Sequence, residues 1–111
     1  MQFVSQYASC EKAHQLFYDY VRFIIGRTNR YTHRRYVDDP AIMSWQIGNE
    51  PRAFSKEALP AFERWLAEAS SLIRSLDSNH LISIGSEGSW GCENDIACYE
   101  RICADKNVDY C

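Results

Sequence analysis

The sequence has no apolar run approaching the ~18 residues of a membrane-spanning helix, so no α-helical span is expected within it. It has no excess of basic charge. The net charge of -3 supplies no positive field, so nucleic-acid and membrane partners are not expected. Its five cysteines contain no Cys-x-x-Cys pair and are irregularly spaced, which argues against a zinc cluster; no metal or cofactor is expected. Gly85, Gly88 and Gly91 do not form the Gly-x-Gly-x-x-Gly pattern of a dinucleotide loop. The opening stretch from Met1 to Cys10 lacks the basic and apolar regions of a secretory leader. It is therefore read either as the start of a cytosolic protein or as an artificial N-terminus. Internal repeats and low-complexity segments are missing too. What remains is an ordinary globular composition, 46% hydrophobic and 24% charged. Three Trp, seven Tyr and five Phe suit a core and equally a carbohydrate-facing cleft. Disulfides or buried thiols are the expected fate of Cys10, Cys92, Cys98, Cys103 and Cys111, with at least one left without an internal partner.

Apolar periodicity predicts three helices. Ala13, Leu16, Phe17, Tyr20, Val21 and Ile24 form a stripe over residues 11–25, ending at Gly26. The basic loop that follows, with Arg27, Arg30, His33, Arg34 and Arg35, runs straight into Asp38 and Asp39 and is read as a solvated connection. A second helix spans roughly Pro60 to Leu76, with Phe62, Leu66, Ala69, Ile73 and Leu76 buried and Trp65 and Leu72 beside them. A third runs from about Asp95 to Ala104, capped by Asn94, with Ile96, Tyr99, Ile102 and Cys103 on its stripe. Between the helices lie strands. Residues 41–50, AIMSWQIGNE, form a near-continuous apolar run, as expected for a parallel strand covered on both faces, with Met43, Trp45 and Ile47 toward helices. Ser44, Gln46, Gly48 and Glu50 face the other way, as in a closed barrel. His80 leads into a second strand, LISIGSEG, and Val108 and Tyr110 open a third. The α-β-α-β-α-β order predicts a parallel α/β sheet. Three strands are too few for a complete domain, so residues 1–111 are expected to be about three βα units of a (β/α)8 TIM barrel, incomplete at both ends.

Chemistry in such a barrel gathers at the C-terminal ends of strands. Here these are Gly48-Asn49-Glu50-Pro51 and Gly85-Ser86-Glu87-Gly88. A strand-end carboxylic acid in a cleft can be kept protonated by burial and donate to a leaving oxygen. Asn49 can both donate to and accept from a sugar hydroxyl. Glu50 is therefore the candidate acid, against the plainer alternative of a structural ion pair.

The segment DDPAIMSWQIGNEPR resembles the fourth-strand region of glycoside hydrolase family 5, whose signature is Asn-Glu-Pro at the end of an apolar strand. The flanking runs YDYVRFIIGRTNRYTHRRYVDDP and WLAEASSLIRSLDSNHLISIGSEG are similar to the endo-β-1,4-mannanase branch of that family. The resemblance implies a retaining hydrolase of mannan, glucomannan or a related β-glycan, acting outside the cytoplasm. It implies Glu50 as acid/base and Asn49 as a ligand of the sugar 2-hydroxyl. The nucleophile is expected on strand seven, beyond Cys111. Glu87 matches a strand-five glutamate that is not the nucleophile and is expected to orient its neighbours. Trp90 is a candidate for stacking on a sugar face, with packing within its loop as the alternative. Trp45, Trp65 and His80 are assigned to structure. A family 5 cellulase or glucanase, or a non-catalytic remnant, is the alternative. The isolated chain is expected to be inactive and to fold poorly alone.

Overall fold

A computed structural model describes residues 4–111. The extreme N-terminus, where a leader was sought, lies partly outside the described residues. Helix α1 (Glu11–Ile25) leads through a polar loop to strand β1 (Ser44–Gln46). Helix α2 (Leu59–Leu76), strand β2 (Leu81–Ser83) and helix α3 (Ile96–Cys103) follow. Short 3-10 turns occupy Val4–Ser9, Tyr36–Asp38 and Gly88–Cys92.

The two strands are parallel, with Ser44 opposite Leu81, Trp45 opposite Ile82 and Gln46 opposite Ser83. A parallel bridge between Ser83 and Tyr110 places the start of the expected third strand on the other side of β2. That strand is anchored by Asp109. Its backbone N–H donates to the Ile82 carbonyl at 2.9 Å, and its carboxylate accepts from the Ile82 N–H at 2.8 Å. Arg74, from the last turn of α2, donates to the same carboxylate at 2.6 Å and to the His80 carbonyl at 3.0 Å. One arginine thus ties a helix end to two neighbouring strands.

Helix α2 is the centre of the core because apolar residues recur on one face at the helical period. Phe62, Trp65, Leu66, Ala69 and Ile73 are all buried. Pro60 sits in the first turn, where its missing N–H costs nothing. The helix stops at Asp77 because that carboxylate accepts from the backbone N–H groups of Asn79 (2.8 Å) and His80 (3.0 Å), a turn that competes with further helix. The expected stripe holds except at Leu76, which lies at the open end and is 37% exposed.

Helix α1 has the expected boundaries but not the expected face. Tyr18, Val21 and Ile25 are buried, while Leu16 and Tyr20 are more than 60% exposed. The buried arc is rotated by one residue, about 100° of helix. The cause is Tyr18, whose ring can enter the interface because its hydroxyl donates to Glu68 of α2 at 2.8 Å. Helix α3 also differs. Its N-cap is Asp95, not Asn94: the Asp95 carboxylate accepts from the Cys98 N–H at 2.9 Å, and Asn94 takes a left-handed backbone with φ 61°. Cys98 and Ile102 are its buried residues, and Ile96 is exposed because it is the first residue of a short helix.

Trp45 and Ile47 face the helices as expected, but Met43 is 69% exposed. It precedes β1; its carbonyl accepts from Leu81, yet no helix covers its side chain. Gln46, on the opposite sheet face, is exposed. The extents of 45 × 27 × 20 Å and a radius of gyration of 14.6 Å, against about 13 Å for a compact chain this long, describe a slab with helices on one sheet face.

At the N-terminal edge of the sheet a buried polar cluster closes the slab. Asp77 is 2% exposed and accepts from Trp45 Nε1 at 2.7 Å. His80 Nδ1 meets the same carboxylate at 2.6 Å, and His80 Nε2 meets the Asp39 carbonyl at 2.9 Å. Both ring nitrogens face acceptors, so the ring is fully satisfied only as the imidazolium. Burial alone lowers the His80 pKa, but these bonds outweigh it and the net shift is upward. Burial likewise opposes ionisation of Asp77, yet the bonds from Trp45, His80 and the two backbone N–H groups hold it below the ordinary range.

Candidate active site

The C-terminal ends of β1 and β2 are stitched together beyond the strands themselves. The Ile47 N–H donates to the Ser83 carbonyl at 3.0 Å, Gly48 to Ile84 at 3.3 Å and Glu50 to Gly85 at 2.9 Å. The Ala53 N–H then donates to the Gly91 carbonyl at 2.9 Å. The loop after β1 is therefore held along its length by the loop after β2.

Gly85 makes this approach possible. Its φ is +75°, and a Cβ placed there would lie 2.1 Å from the Gly48 carbonyl oxygen, which is backbone and cannot swing away. Only a residue without a side chain lets the two loops approach this closely.

Glu50 ends this construction with φ 49°, a left-handed backbone in which a non-glycine residue is unusual. Such conformations persist where surrounding bonds over-determine them, and they gather at functional sites. Its N–H on Gly85 supplies one such bond. Glu50 and Asn49 are both exposed. The burial expected for a proton donor is thus not provided by the described residues of this chain.

Glu87 does not stand as a second free carboxylate. It forms a two-pronged ion pair with Arg52: one oxygen accepts from the terminal guanidinium nitrogen at 2.6 Å, and the other contacts Nε. The Glu87 carboxylate raises the Arg52 pKa above its ordinary value, and the charges of Glu50 and Glu93 add to the effect. The partner of Glu87 in this structure is Arg52. Arg52 was not among the residues singled out from the sequence. The available signal was an opposite charge just past each of two adjacent parallel strand ends.

Trp90 lies on the turn Gly88–Cys92 and is 64% exposed, so it is not packed into the loop. Among the described residues no group of three or more His, Cys, Asp or Glu is placed to hold a metal ion. Cys103 and Cys111 form a disulfide. Cys92 and Cys98 are buried thiols, and Cys10 is an exposed one.

A family model described as glycoside hydrolase family 5 beta-mannosidase-like matches residues 1–111. Mannan endo-1,4-beta-mannosidase 1 of Arabidopsis thaliana is 42% identical over 77 residues, covering 69% of this chain and 19% of the relative. The chain thus spans about a fifth of the length of this curated relative. Among solved structures, an endo-1,4-beta-D-mannanase from Thermotoga petrophila superposes with a TM-score of 0.82 at 28% identity, over 95% of this chain and 34% of that one. A glycoside hydrolase family 5 mannosidase from Rhizomucor miehei superposes with a TM-score of 0.79 at 32% identity, over 98% of this chain and 25% of that one. The βα units described above are accordingly a section of a (β/α)8 barrel.

Proposed function

Because the chain belongs to glycoside hydrolase family 5, in its beta-mannosidase-like group, we propose that it carries the acid/base half of a retaining β-mannan hydrolase. The observation that carries this reading is Glu50 in the loop after β1, in a left-handed backbone bonded to Gly85 of the loop after β2. In the proposed reaction Glu50 protonates the glycosidic oxygen as the bond to the anomeric carbon breaks. A glutamate that is not among these 111 residues attacks that carbon to give a covalent glycosyl-enzyme. Glu50, now ionised, takes a proton from the water that displaces the enzyme from the sugar, and both carboxyls return to their starting states.

The neighbours divide the remaining work. Asn49 offers its amide to the 2-hydroxyl of the sugar being cleaved. Arg52 and Glu87 neutralise each other while tying the loop that carries Glu50 to the loop after β2. Trp90 presents an open aromatic face on the same rim for stacking on a pyranose ring. The substrate class, β-1,4-linked mannan, is supported by the names of the relatives. The Cys103–Cys111 disulfide supports an oxidising, extracytoplasmic location.

The test is Glu50→Gln in the full enzyme, assayed on mannan and on cellulose. Loss of about 10²–10⁴-fold in turnover on mannan is expected. Undiminished hydrolysis of mannan would remove Glu50 from the mechanism. Wild-type preference for cellulose would overturn the substrate assignment and leave the two-carboxylate chemistry standing. Trp90→Ala should raise KM with little effect on stability, since the ring is mostly open to solvent.

A further inference from the structure

We propose that Cys92 and Cys98 are joined by a second disulfide in the mature protein, fastening the Trp90-bearing turn to the first turn of α3. The inference stands apart from the hydrolase reading and survives its failure.

Two tight backbone connections bring the residues together. The Asp95 N–H donates to the Cys92 carbonyl at 2.8 Å, and the Cys98 N–H donates to the Asp95 carboxylate at 2.9 Å. The chain between them is folded back on itself. Cys92 is 2% exposed and Cys98 is fully buried. Each thiol perturbs the titration of the other, and Glu63 perturbs that of Cys98. With no metal-holding group among the described residues, two buried thiols on one tight turn have one evident chemistry. Cys103, on the same helix, is already in a disulfide with a sequence separation of 8, so the structure itself calls for conditions that oxidise thiols. The exposed Cys10 is then the single unpaired cysteine of the five.

The step balances with a small-molecule disulfide such as oxidised glutathione. One protein thiolate attacks it, releasing one glutathione thiol and leaving a mixed disulfide. The second protein thiolate attacks the mixed disulfide, forming the Cys92–Cys98 bond and releasing the second glutathione. Two electrons pass from the protein sulfurs to glutathione, and the two thiol protons leave with the products. Burial pushes both thiols above their ordinary pKa, so thiolate is scarce once the fold is closed. The bond therefore forms during folding and then persists, as a structural link. Glu63 keeps both bonds from Arg101, at 3.1 Å and 2.5 Å, so no carboxylate is stranded.

The experiment maps thiols in the full protein after folding in a glutathione redox buffer and, separately, after secretion through an oxidising compartment. The sample is denatured in acid, alkylated with N-ethylmaleimide and digested. Cys92 and Cys98 fall in one tryptic peptide, since no Lys or Arg lies between Arg74 and Arg101. The bond appears as loss of two hydrogens from that peptide with no alkylation, and cleavage after Glu93 leaves its two parts joined until reduction. Of these five cysteines, Cys10 alone should be alkylated. The proposal is overturned if Cys92 and Cys98 are both alkylated while Cys103–Cys111 is intact, or if either is joined to Cys10, Cys103 or Cys111. Cys98→Ala should leave Cys92 as a new alkylated site and Cys103–Cys111 unchanged; the wild-type map decides the question even if this variant fails to fold.

Discussion

Replacing Gly85 by alanine tests the idea that close backbone approach, rather than side-chain chemistry, holds Glu50 in place. Two costs are expected. The first comes from φ +75°, where a Cβ is disfavoured by about 1 kcal/mol. The second comes from contact. The new methyl would sit 2.1 Å from the Gly48 carbonyl oxygen, well inside an ordinary contact, so one loop must move. That movement stretches the bond from the Glu50 N–H to the Gly85 carbonyl, now 2.9 Å, and the 3.3 Å bond from Gly48 to Ile84. Overpacking of this kind costs about 2 kcal/mol. The sum is about 3 kcal/mol. Gly88 provides the control. Its φ is +79°, but nothing lies within 4 Å of an added Cβ, so Gly88→Ala should show the backbone cost of about 1 kcal/mol alone. Urea denaturation of the two variants beside the wild type, followed by circular dichroism, measures the difference directly. A gap of about 2 kcal/mol is expected. If the two variants agree within about 0.5 kcal/mol, the contact with Gly48 contributes nothing and the account of how Glu50 is held is wrong.

The buried pair of His80 and Asp77 predicts a stability optimum in mildly acidic solution. His80 is shifted upward on folding, so its contribution is complete below its unfolded pKa and is lost as pH rises through the folded value. Asp77 is shifted downward, so its contribution is complete above its unfolded pKa and is lost as pH falls through the folded value. Unfolding free energy plotted against pH should fall on the alkaline side with a slope of no more than one proton from this site, and His80→Gln should flatten that limb. An unchanged slope in the variant would mean that the ring is neutral in the native state. The Cys103–Cys111 disulfide closes a short loop and should contribute about 2.5 kcal/mol. The Cys103→Ser, Cys111→Ser double variant should be destabilised by that amount in equilibrium denaturation, and equal stability would show that the reduced chain already holds its end against β2.

The alternation of helix and strand, the core face of α2 and the placing of Asn49-Glu50-Pro51 after the first strand were legible in the sequence because each is a local property; the strand itself is shorter than the run 41–50, ending at Gln46. Periodicity reports which way a residue points when one element dominates its surroundings, as α2 does with Phe62, Leu66, Ala69 and Ile73. It failed on α1 because the stripe drawn through Leu16, Tyr20 and Ile24 leaves Tyr18 off it, and only the partner across the interface, Glu68, lets its hydroxyl go inside. It failed at the start of α3 because Asn94 and Asp95 are equally good caps by composition, and the choice fell to Asp95 when the left-handed turn took Asn94 out of the helix. The identity of Glu50 as the candidate acid came from the sequence. The ion pair of Arg52 with Glu87, the clasp of Gly85 on Gly48 and the pairing of Cys103 with Cys111 did not. Each joins residues carried by different elements, and no period along the chain encodes that distance. Parallel pairing of β1 with β2 brought the first two together, and the third depended on where the chain after α3 met β2.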